Sequence, residues 1–222
     1  MGAGTPKQFL ELDGTPIVIL TLRRIAACAV ITDIIVATRA EGVEQLTARI
    51  QQEKFKQSVQ VVKGGDTRQE SVAQALKLVP NDAELVAVHD AVRPFVAVEQ
   101  VNRVIEEARR RKAAILGIPA MDTVKEVKRA SLPEDVALIT LTIPRERVVL
   151  AHTPQVFDTR LLKEAVARAE SDGVTVSDEA GLVERLGMEV YVVHGSERNI
   201  KITKPADMEL ARFYLQLEQK KA

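Results

Sequence analysis

The sequence is poor in the features that nucleic-acid-binding proteins depend on. The 222 residues include no tryptophan, and aromatic residues make up only 3% of the chain, which argues against a platform that stacks the bases of single strands. The 31 basic and 31 acidic residues cancel to a formal net charge of zero, so no basic footprint for a phosphate backbone is present. We therefore expect no nucleic-acid partner.

Cysteine and long apolar runs are equally scarce. The only cysteine, Cys28, lies in the apolar run 25–31, so no disulfide can form within the chain, in agreement with a reducing compartment. No apolar run approaches the roughly 20 residues of a membrane span. A signal peptide, with its basic start and apolar core, is not visible either. We expect a cytoplasmic protein with no membrane partner.

Several catalytic and metal-binding motifs are also missing. The three histidines, His89, His152 and His194, do not have the spacing of metal ligands. The chain contains neither a Gly-X-Ser-X-Gly elbow nor a complete phosphate-binding loop of the Gly-X-X-X-X-Gly-Lys-Ser/Thr type. These absences disfavour a structural zinc site, a serine hydrolase and a P-loop enzyme.

What the sequence does contain is a regular alternation of predicted strands and helices. Strands are predicted at 33–38, 58–62, 85–89, 113–118 and 189–193, with helical periodicity between them. Such alternation favours an α/β fold with a Rossmann-like, mostly parallel sheet flanked by helices. We expect residues 1–222 to form a single domain.

The alternation breaks between residues 122 and 150. The segments 123–127 and 139–143 alternate polar and apolar residues, and a turn is predicted at 131–133 between them. This pattern predicts an antiparallel hairpin, which would project from the sheet and need a surface to pack on. A second subunit is the simplest candidate, so we expect a homodimer formed through an arm at about 122–150.

The most informative stretch is the predicted strand at 85–89 and the residues after it. Its apolar run stops at His89 and Asp90, and Arg93 and Pro94 follow. Ligands of open α/β sheets bind outside the carboxyl ends of strands, so Asp90 and Arg93 are placed to meet a metal ion and a phosphate. The alternative is that Asp90 only caps a turn and Arg93 lies in solvent.

A second candidate is the loop at 64–71, which follows a predicted strand and opens a helix. Gly64 and Gly65 would let the backbone approach a ligand closely, and free amides at the helix start would meet an anion or a base edge. Residues 67–70 match a capping box. The loop is therefore equally well explained as the start of a well-capped helix.

Isolated lysines and hydroxyls complete the candidates. Lys7 lies in an otherwise uncharged loop, and Lys201 lies between two isoleucines of a short strand predicted at 198–203. Either lysine could bind phosphate or lie on a solvated surface. Ser177 is a plausible N-cap, with Asp178 and Glu179 favourable to the helix dipole.

Together and in this order, the segments resemble the cytidylyltransferases of isoprenoid synthesis, and specifically those that act on 2-C-methyl-D-erythritol 4-phosphate. The segments that carry the resemblance are Pro6–Leu12, Gly64–Val72, Val88–Pro94, Asp122–Lys125, Thr153–Phe157, Ser177–Ala180 and Asn199–Thr203. It covers nearly the whole chain and implies a reaction of CTP with the polyol phosphate, giving the CDP-linked alcohol and pyrophosphate, with Mg²⁺ as cofactor.

The resemblance also implies a role for each matching residue. Lys7 and Lys201 would be catalytic, stabilising charge at the α-phosphate, and Lys201 would also hold the incoming phosphate. The nucleotide-binding residues would be Gly65, Asp66, Arg68, Ser71 and Asp90. Asp90 would also contact substrate hydroxyls and lie near the metal. The remaining substrate-binding residues would be Arg93, Thr123, Arg145, Thr153 and Ser177, with Arg145 delivered across the dimer by the arm.

The chain departs from the family pattern at its start. The family begins with a strand and the loop Pro-Ala-Ala-Gly-X-Gly-X-Arg-Met-Gly, and Met1 and Gly2 match its last two residues. On this alignment the strand, the glycines and a catalytic arginine are missing. Loss of such an arginine could lower the rate on the order of 10²–10³-fold.

Two other functions fit the same motifs. A related cytidylyltransferase that acts on ribitol 5-phosphate shares several of them, including an Asp-Ala-Val-Arg-Pro stretch. The segments 177–180 and 199–203 favour the erythritol enzyme. A catalytically impaired nucleotide-binding protein is the second alternative, because of the missing loop.

Overall fold

The computed structural model describes residues 7–128, 133 and 135–220. In chain order its elements are β1 (Glu11–Leu12), β2 (Thr15–Pro16), α1 (Ile17–Ala26), β3 (Asp33–Thr38), α2 (Ala40–Gln51), β4 (Ser58–Lys63), α3 (Arg68–Leu76), β5 (Leu85–Val88), α4 (Val98–Arg111), β6 (Ala113–Pro119), β7 (Val124–Lys128), β8 (Leu138–Ile143), β9 (Val149–Asp158), α5 (Thr159–Asp172), α6 (Glu179–Arg185), β10 (Tyr191–His194) and α7 (Pro205–Gln219). Within these ranges no helix combines the length and the apolar character needed to cross a membrane.

The central sheet has four strands in the order β10-β6-β9-β5. Strand β6 pairs in parallel with β10, whereas β9 is antiparallel to both β6 and β5. Three strands therefore run in one direction and only β9 opposes them. Buried residues of α4 pack on one group of sheet residues, and those of α5 and α6 pack on another. The predicted α/β class with a helix-flanked sheet is confirmed, and the central sheet is mixed, because β9 pairs antiparallel with both of its neighbours.

Strand β9 is the main element that the sequence did not predict. Pro154 lies within it, and proline argues against a central strand because it cannot donate to the ladder. The structure accommodates the proline at a break in register, where Ile115 pairs with Gln155 but the next residue, Leu116, pairs with His152. Thr153 and Pro154 are thereby left out of the pairing with β6, as in a β-bulge.

The hairpin predicted between residues 122 and 150 is present as β7 and β8. The two strands pair antiparallel, from Val124 opposite Ile143 to Lys128 opposite Leu138. Large apolar side chains of β8 are exposed, with Leu138 at 61% and Ile139 at 57%. The turn predicted at 131–133 lies outside the described residues except for Pro133. The arm therefore presents an apolar surface that nothing in the described chain covers.

The other differences from the predicted elements are local. The segment 198–203 is not a strand, although Ile202 is fully buried and its amide donates to the carbonyl of Val92 at 2.9 Å. Lys201 is exposed beside it, so the predicted alternation of faces is retained.

Helix α6 is capped by Asp178, whose carboxylate accepts from the amide of Gly181 at 3.1 Å. The prediction of Ser177 as the N-cap was wrong by one residue.

A gap separates the central sheet from the parallel pair formed by β3 and β4. Among the described residues, β3 pairs only with β4, and β5 pairs only with β9. Every residue of β3 and of β5 lines a cavity of about 560 Å³ between them, and apolar side chains of α1 and α3 contribute to its walls. Each of the two strands therefore has one ladder edge with no strand partner in the described part of the chain.

We expect this gap to be visible in amide hydrogen exchange. Amides that point from β3 and β5 into the gap have no ladder bond to any described residue, so alternate residues of both strands should exchange much faster than those of β6 and β9, which pair on both sides. Peptide-resolved mass spectrometry or NMR measures this directly. Equal protection across all four strands would contradict the open edges.

Candidate active site

Asp90 occupies the position predicted for it, just beyond the carboxyl end of β5. The chain turns there, with the amide of Arg93 donating to the carbonyl of Asp90 at 3.1 Å. The cavity beside β5 continues to this point, where Arg68, Ser71, Asp90 and Lys201 line it. Four of the predicted site residues are thus brought to one cleft by the fold.

Three cationic side chains share the carboxylate of Asp90. Arg68 Nε lies 3.2 Å from Oδ1, while Arg93 Nε at 3.2 Å and Lys201 Nζ at 3.1 Å both contact Oδ2. Arg68 comes from the start of α3, Arg93 from the turn after β5, and Lys201 from the segment before α7. The Asp90 side chain is only 10% exposed, so these charges meet with little screening by solvent.

The three cations determine the charge state of Asp90. Burial alone would raise the pKa of this carboxyl, but the charges of Lys201, Arg68 and Arg93 together lower it to about 2. The carboxyl of Asp90 is therefore ionised at neutral pH. The interpretation of Asp90 as a turn cap alone does not account for this arrangement.

Arg93 does not lie in solvent. Its side chain is 8% exposed, and besides Asp90 it contacts the carbonyl of Asn199 through Nη1 at 2.6 Å. It therefore ties the turn after β5 to the segment that carries Lys201. Its predicted contact with a polyol phosphate stays a prediction.

A second hydrogen-bond network, formed by Thr153 and His89, supports the turn after β5. Thr153 Oγ1 accepts from the amide of Asp90 at 3.0 Å and lies 2.9 Å from His89 Nδ1, while His89 Nε2 lies 3.2 Å from the carbonyl of Arg93. A neutral His89 with its proton on Nε2 satisfies every partner, because the Thr153 hydroxyl can then donate to Nδ1. The Thr153 side chain therefore supports Asp90, and its role in substrate binding stays a prediction.

The loop at 64–67 is hydrogen-bonded to the first turn of α3. Gly65 donates its amide to Ser71 Oγ at 3.2 Å, and the amides of Asp66 and Thr67 both donate to Glu70 Oε2, at 2.7 and 3.1 Å. The capping box predicted at 67–70 is confirmed. These three amides are therefore not free for an anion, contrary to the expectation from the sequence.

The two glycines of this loop are required by close contacts. A Cβ atom at Gly64 would lie 2.6 Å from Ser71 Oγ, and one at Gly65 would lie 2.3 Å from Glu70 Cβ. The exposed carboxylate of Asp66 is left as the polar group that the loop presents outward. The nucleotide-binding roles of Gly65, Asp66 and Ser71 stay predictions.

The structure adds a residue that the sequence analysis did not select. Glu179 is 1% exposed, and its Oε1 accepts from Arg68 Nη1 at 2.7 Å. Burial raises the pKa of Glu179, and Arg68 opposes that shift. The sequence indicated only that Glu179 is favourable to the helix dipole, so the tertiary contact with Arg68 is what identifies it.

The remaining predicted residues lie outside this cluster. Lys7 is exposed in a 3-10 turn at Lys7–Phe9, and its neighbour Gln8, not Lys7 itself, lines the cavity. Thr123 and Ser177 are exposed. Arg145 lies in the arm after β8, in a second 3-10 turn, and donates to the carbonyl of Met121 at 2.7 Å. Their predicted roles stay predictions.

The described residues offer little to hold a metal ion without a substrate. No group of three or more His, Cys, Asp or Glu side chains with suitable spacing occurs among them. Asp90 lines the cleft and could contribute a carboxylate, but its two oxygens already face three cations. Mg²⁺ sites of this kind take one or two carboxylates and complete the shell with substrate phosphates. The residues present therefore do not form a metal site of their own.

Comparisons with known proteins agree on one family. The profile of the family described as IspD, 2-C-methyl-D-erythritol 4-phosphate cytidylyltransferase, matches residues 1–217. A protein of that name from Acidobacterium capsulatum is 51% identical over 211 residues, which is 95% of this chain and 87% of the relative. Another from Solibacter usitatus is 49% identical over 217 residues, or 97% and 88% of the two chains.

The solved structures that this chain resembles carry names of the same enzyme. The 4-diphosphocytidyl-2C-methyl-D-erythritol synthase of Anaerococcus prevotii matches with a TM-score of 0.85 at 30% identity, over 97% of this chain and 92% of that one. The 2-C-methyl-D-erythritol 4-phosphate cytidylyltransferase of Thermus thermophilus matches with a TM-score of 0.78 at 37% identity, over 96% and 95%.

The histidines near Asp90 lead to a prediction about stability and pH. Burial lowers the pKa of both His89 and His152 to about 4, whereas an unfolded histidine titrates near 6.5. The unfolded state therefore binds more protons between these values, and stability should fall as the pH drops from about 6.5 towards 4. Each histidine should contribute a loss of roughly 1–2 kcal/mol by pH 5.

Urea unfolding of wild type and His152→Gln at pH 7.5 and pH 5 tests this. The loss of unfolding free energy should be smaller in the variant, and His194→Gln, at an exposed position on β10, serves as the matched control. The comparison of variants is needed because the raised pKa of Glu179 acts in the opposite direction. An identical pH dependence of wild type and His152→Gln would refute the assignment.

Proposed function

The chain belongs to the 2-C-methyl-D-erythritol 4-phosphate cytidylyltransferase family, and we infer that it is a nucleotidyltransferase that joins CTP to 2-C-methyl-D-erythritol 4-phosphate. The products are the CDP-linked methylerythritol and pyrophosphate, in isoprenoid precursor synthesis. The observation that supports this most directly is the cluster of Arg68, Arg93 and Lys201 around Asp90, because the reaction brings two highly anionic substrates together.

The proposed chemistry needs charge stabilisation and alignment, and no general base. A phosphate oxygen of the polyol phosphate attacks the α-phosphorus of CTP, and the bond to the departing pyrophosphate breaks. The attacking oxygen is already anionic, so the absence of a catalytic triad is no obstacle. Nucleotidyl transfer of this kind depends on positioning and on cations near the equatorial oxygens. Lys201 is the described cation best placed for this, since its side chain is 42% exposed at the cleft.

Mg²⁺ is a further part of the proposal. Because the described residues form no metal site of their own, the ion would arrive with CTP, bound mainly by the triphosphate. It would supply additional positive charge at the phosphates. Asp90 as its protein ligand stays a prediction, which the three surrounding cations make less favourable.

Two alternatives are separable by substrate tests. Ribitol 5-phosphate is not favoured, because the relatives described above are named for methylerythritol. Turnover of each polyol phosphate with CTP compares the two directly. Titration calorimetry with CTP addresses the catalytically impaired alternative, which predicts nucleotide binding without release of pyrophosphate.

The cytoplasmic location stays a prediction from the sequence.

We also propose that the protein is a homodimer formed through the arm. The support is the exposed apolar surface of β8, where Leu138, Ile139 and Leu141 are each more than half exposed. A monomer rarely leaves such a patch uncovered, and a two-fold axis would let the arms of two subunits cover each other's surface. Arg145 follows β8 directly, which would carry it towards the partner.

Replacing Lys201 tests the catalytic proposal. In Lys201→Ala, Asp90 keeps Arg68 and Arg93 as partners, so the fold should survive, while turnover should fall by at least about 10²-fold because a charge-stabilising group is lost. Pyrophosphate release measures the rate. Lys77→Ala, at the exposed C-terminal end of α3, is the matched control. Near-normal turnover of Lys201→Ala would remove this lysine from the active site.

Replacing an arm residue tests the dimer. Ile139→Lys should convert a dimer into a monomer, because a charge would be buried at the centre of the proposed apolar contact. Sedimentation velocity reports the mass. Phe213→Lys introduces the same charge at an exposed apolar position on α7 (Phe213 is 54% exposed) and should leave the mass unchanged. A wild-type chain that sediments as a monomer would rule the proposal out.

A further inference from the structure

Glu179 is a carboxylate held in the interior at a cost to stability. Its side chain is 2% exposed, Oε1 contacts Arg68 Nη1 at 2.7 Å, and Oε2 is buried without a hydrogen-bond partner among the described residues. Burying a charged oxygen without a partner is unfavourable. A side chain retained in such a setting is a candidate for a role in function.

The start of α6 is fixed to the central sheet, so Glu179 has little freedom to move. Gln155 of β9 donates from Nε2 to Asp178 Oδ2 at 2.8 Å and accepts from the amide of Ala180 at 3.1 Å. Both contacts flank Glu179 directly. The carboxylate is therefore a fixed point to which Arg68 is attached.

Arg68 links this fixed point to the cleft. Its guanidinium contacts Glu179 through Nη1 and Asp90 Oδ1 through Nε, the latter at 3.2 Å. It is also the first residue of α3 and follows directly on the loop 64–67, where the amides of Gly65, Asp66 and Thr67 donate to side chains of α3. Because these amides are bonded to α3, the position of the loop relative to Asp90 depends on how the start of α3 is anchored. The amide of Gly64, which donates to the carbonyl of Thr38 at 2.7 Å, anchors the other end of the loop.

We propose that Glu179 is a positioning residue which, through Arg68, holds the loop 64–67 in register with Asp90 for nucleotide binding. Glu179 itself does not touch the substrate. The proposal rests on the proposed function, because it takes the loop as part of the CTP site. It implies that Glu179 supports affinity for CTP more than it supports the fold.

The neutral isostere Glu179→Gln separates the two possibilities. The buried charge disappears, and Arg68, whose side chain is 34% exposed, keeps Asp90 as a partner. No unpaired buried charge is left, so the unfolding temperature should change little. The dissociation constant for CTP should rise about tenfold, at the lower end of what outer-shell partners contribute in metal sites. Titration calorimetry and thermal unfolding give the two values. A purely structural role predicts the reverse pattern, with lower stability and unchanged affinity.

A double-mutant cycle tests whether Glu179 acts through Arg68. In the variant Glu179→Gln/Arg68→Met, CTP affinity should be no weaker than in Arg68→Met alone, because the link is already broken. Additive losses would overturn the proposal. Glu184→Gln, at an exposed position of the same helix, is the matched control and should bind CTP as the wild type does.

The remaining outcomes are also decisive. If Glu179→Gln does not fold, Glu179→Asp takes its place and should bind CTP more weakly than the wild type. In the background of Arg68→Met, the same substitution should cause no further loss of CTP affinity. Wild-type protein that binds no CTP overturns the proposed function and this role with it. Wild-type binding together with additive losses overturns the role of Glu179 alone.

Discussion

The structure of the cleft depends on one carboxylate that three cations share. Asp90 lies at the end of β5, and its partners come from α3, from its own turn and from the segment before α7. These contacts join chain positions as distant as 68 and 201 without any ligand. The low pKa of Asp90, about 2, means that the arrangement persists across the whole physiological pH range. The cleft is thus organised before substrate arrives, as electrostatic catalysis requires.

Local signals made part of this arrangement predictable. The apolar run that ends at Asp90 and the capping box at 67–70 are each encoded within a few consecutive residues, and both are present as expected. Strand β9 was not predictable in this way. Its proline contradicts a central strand, and only the register break against β6 resolves the contradiction. Glu179 is similar, since a helix-start glutamate is ordinarily solvated and only the distant Arg68 explains its burial.

Several residues expected to contact substrate have their hydrogen bonds satisfied inside the protein. The hydroxyl of Ser71 donates to the carbonyl of Thr67 at 2.9 Å, and that of Thr153 contacts His89 and the amide of Asp90. A group that is already paired gains little by exchanging partners. Their hydrogen bonds hold the loop and the turn in place. We expect direct contact with ligand to involve the more exposed groups, such as Asp66 and Lys201.

Charge and exposure together assign different roles to the three cations. Arg68, Arg93 and Lys201 face two carboxylates, Asp90 and Glu179, so one positive charge is left for an anionic substrate. Arg93 is 8% exposed and bonded to a backbone carbonyl, so it stays in place when a ligand binds. Lys201 is 42% exposed on a flexible stem, and an ammonium can rotate from Asp90 to a phosphate oxygen at little cost. Arg68 contacts both carboxylates, so we expect it to hold the site together and not to move with the substrate. Of these three cations, we therefore expect the lysine to be the one that follows the substrate through the reaction.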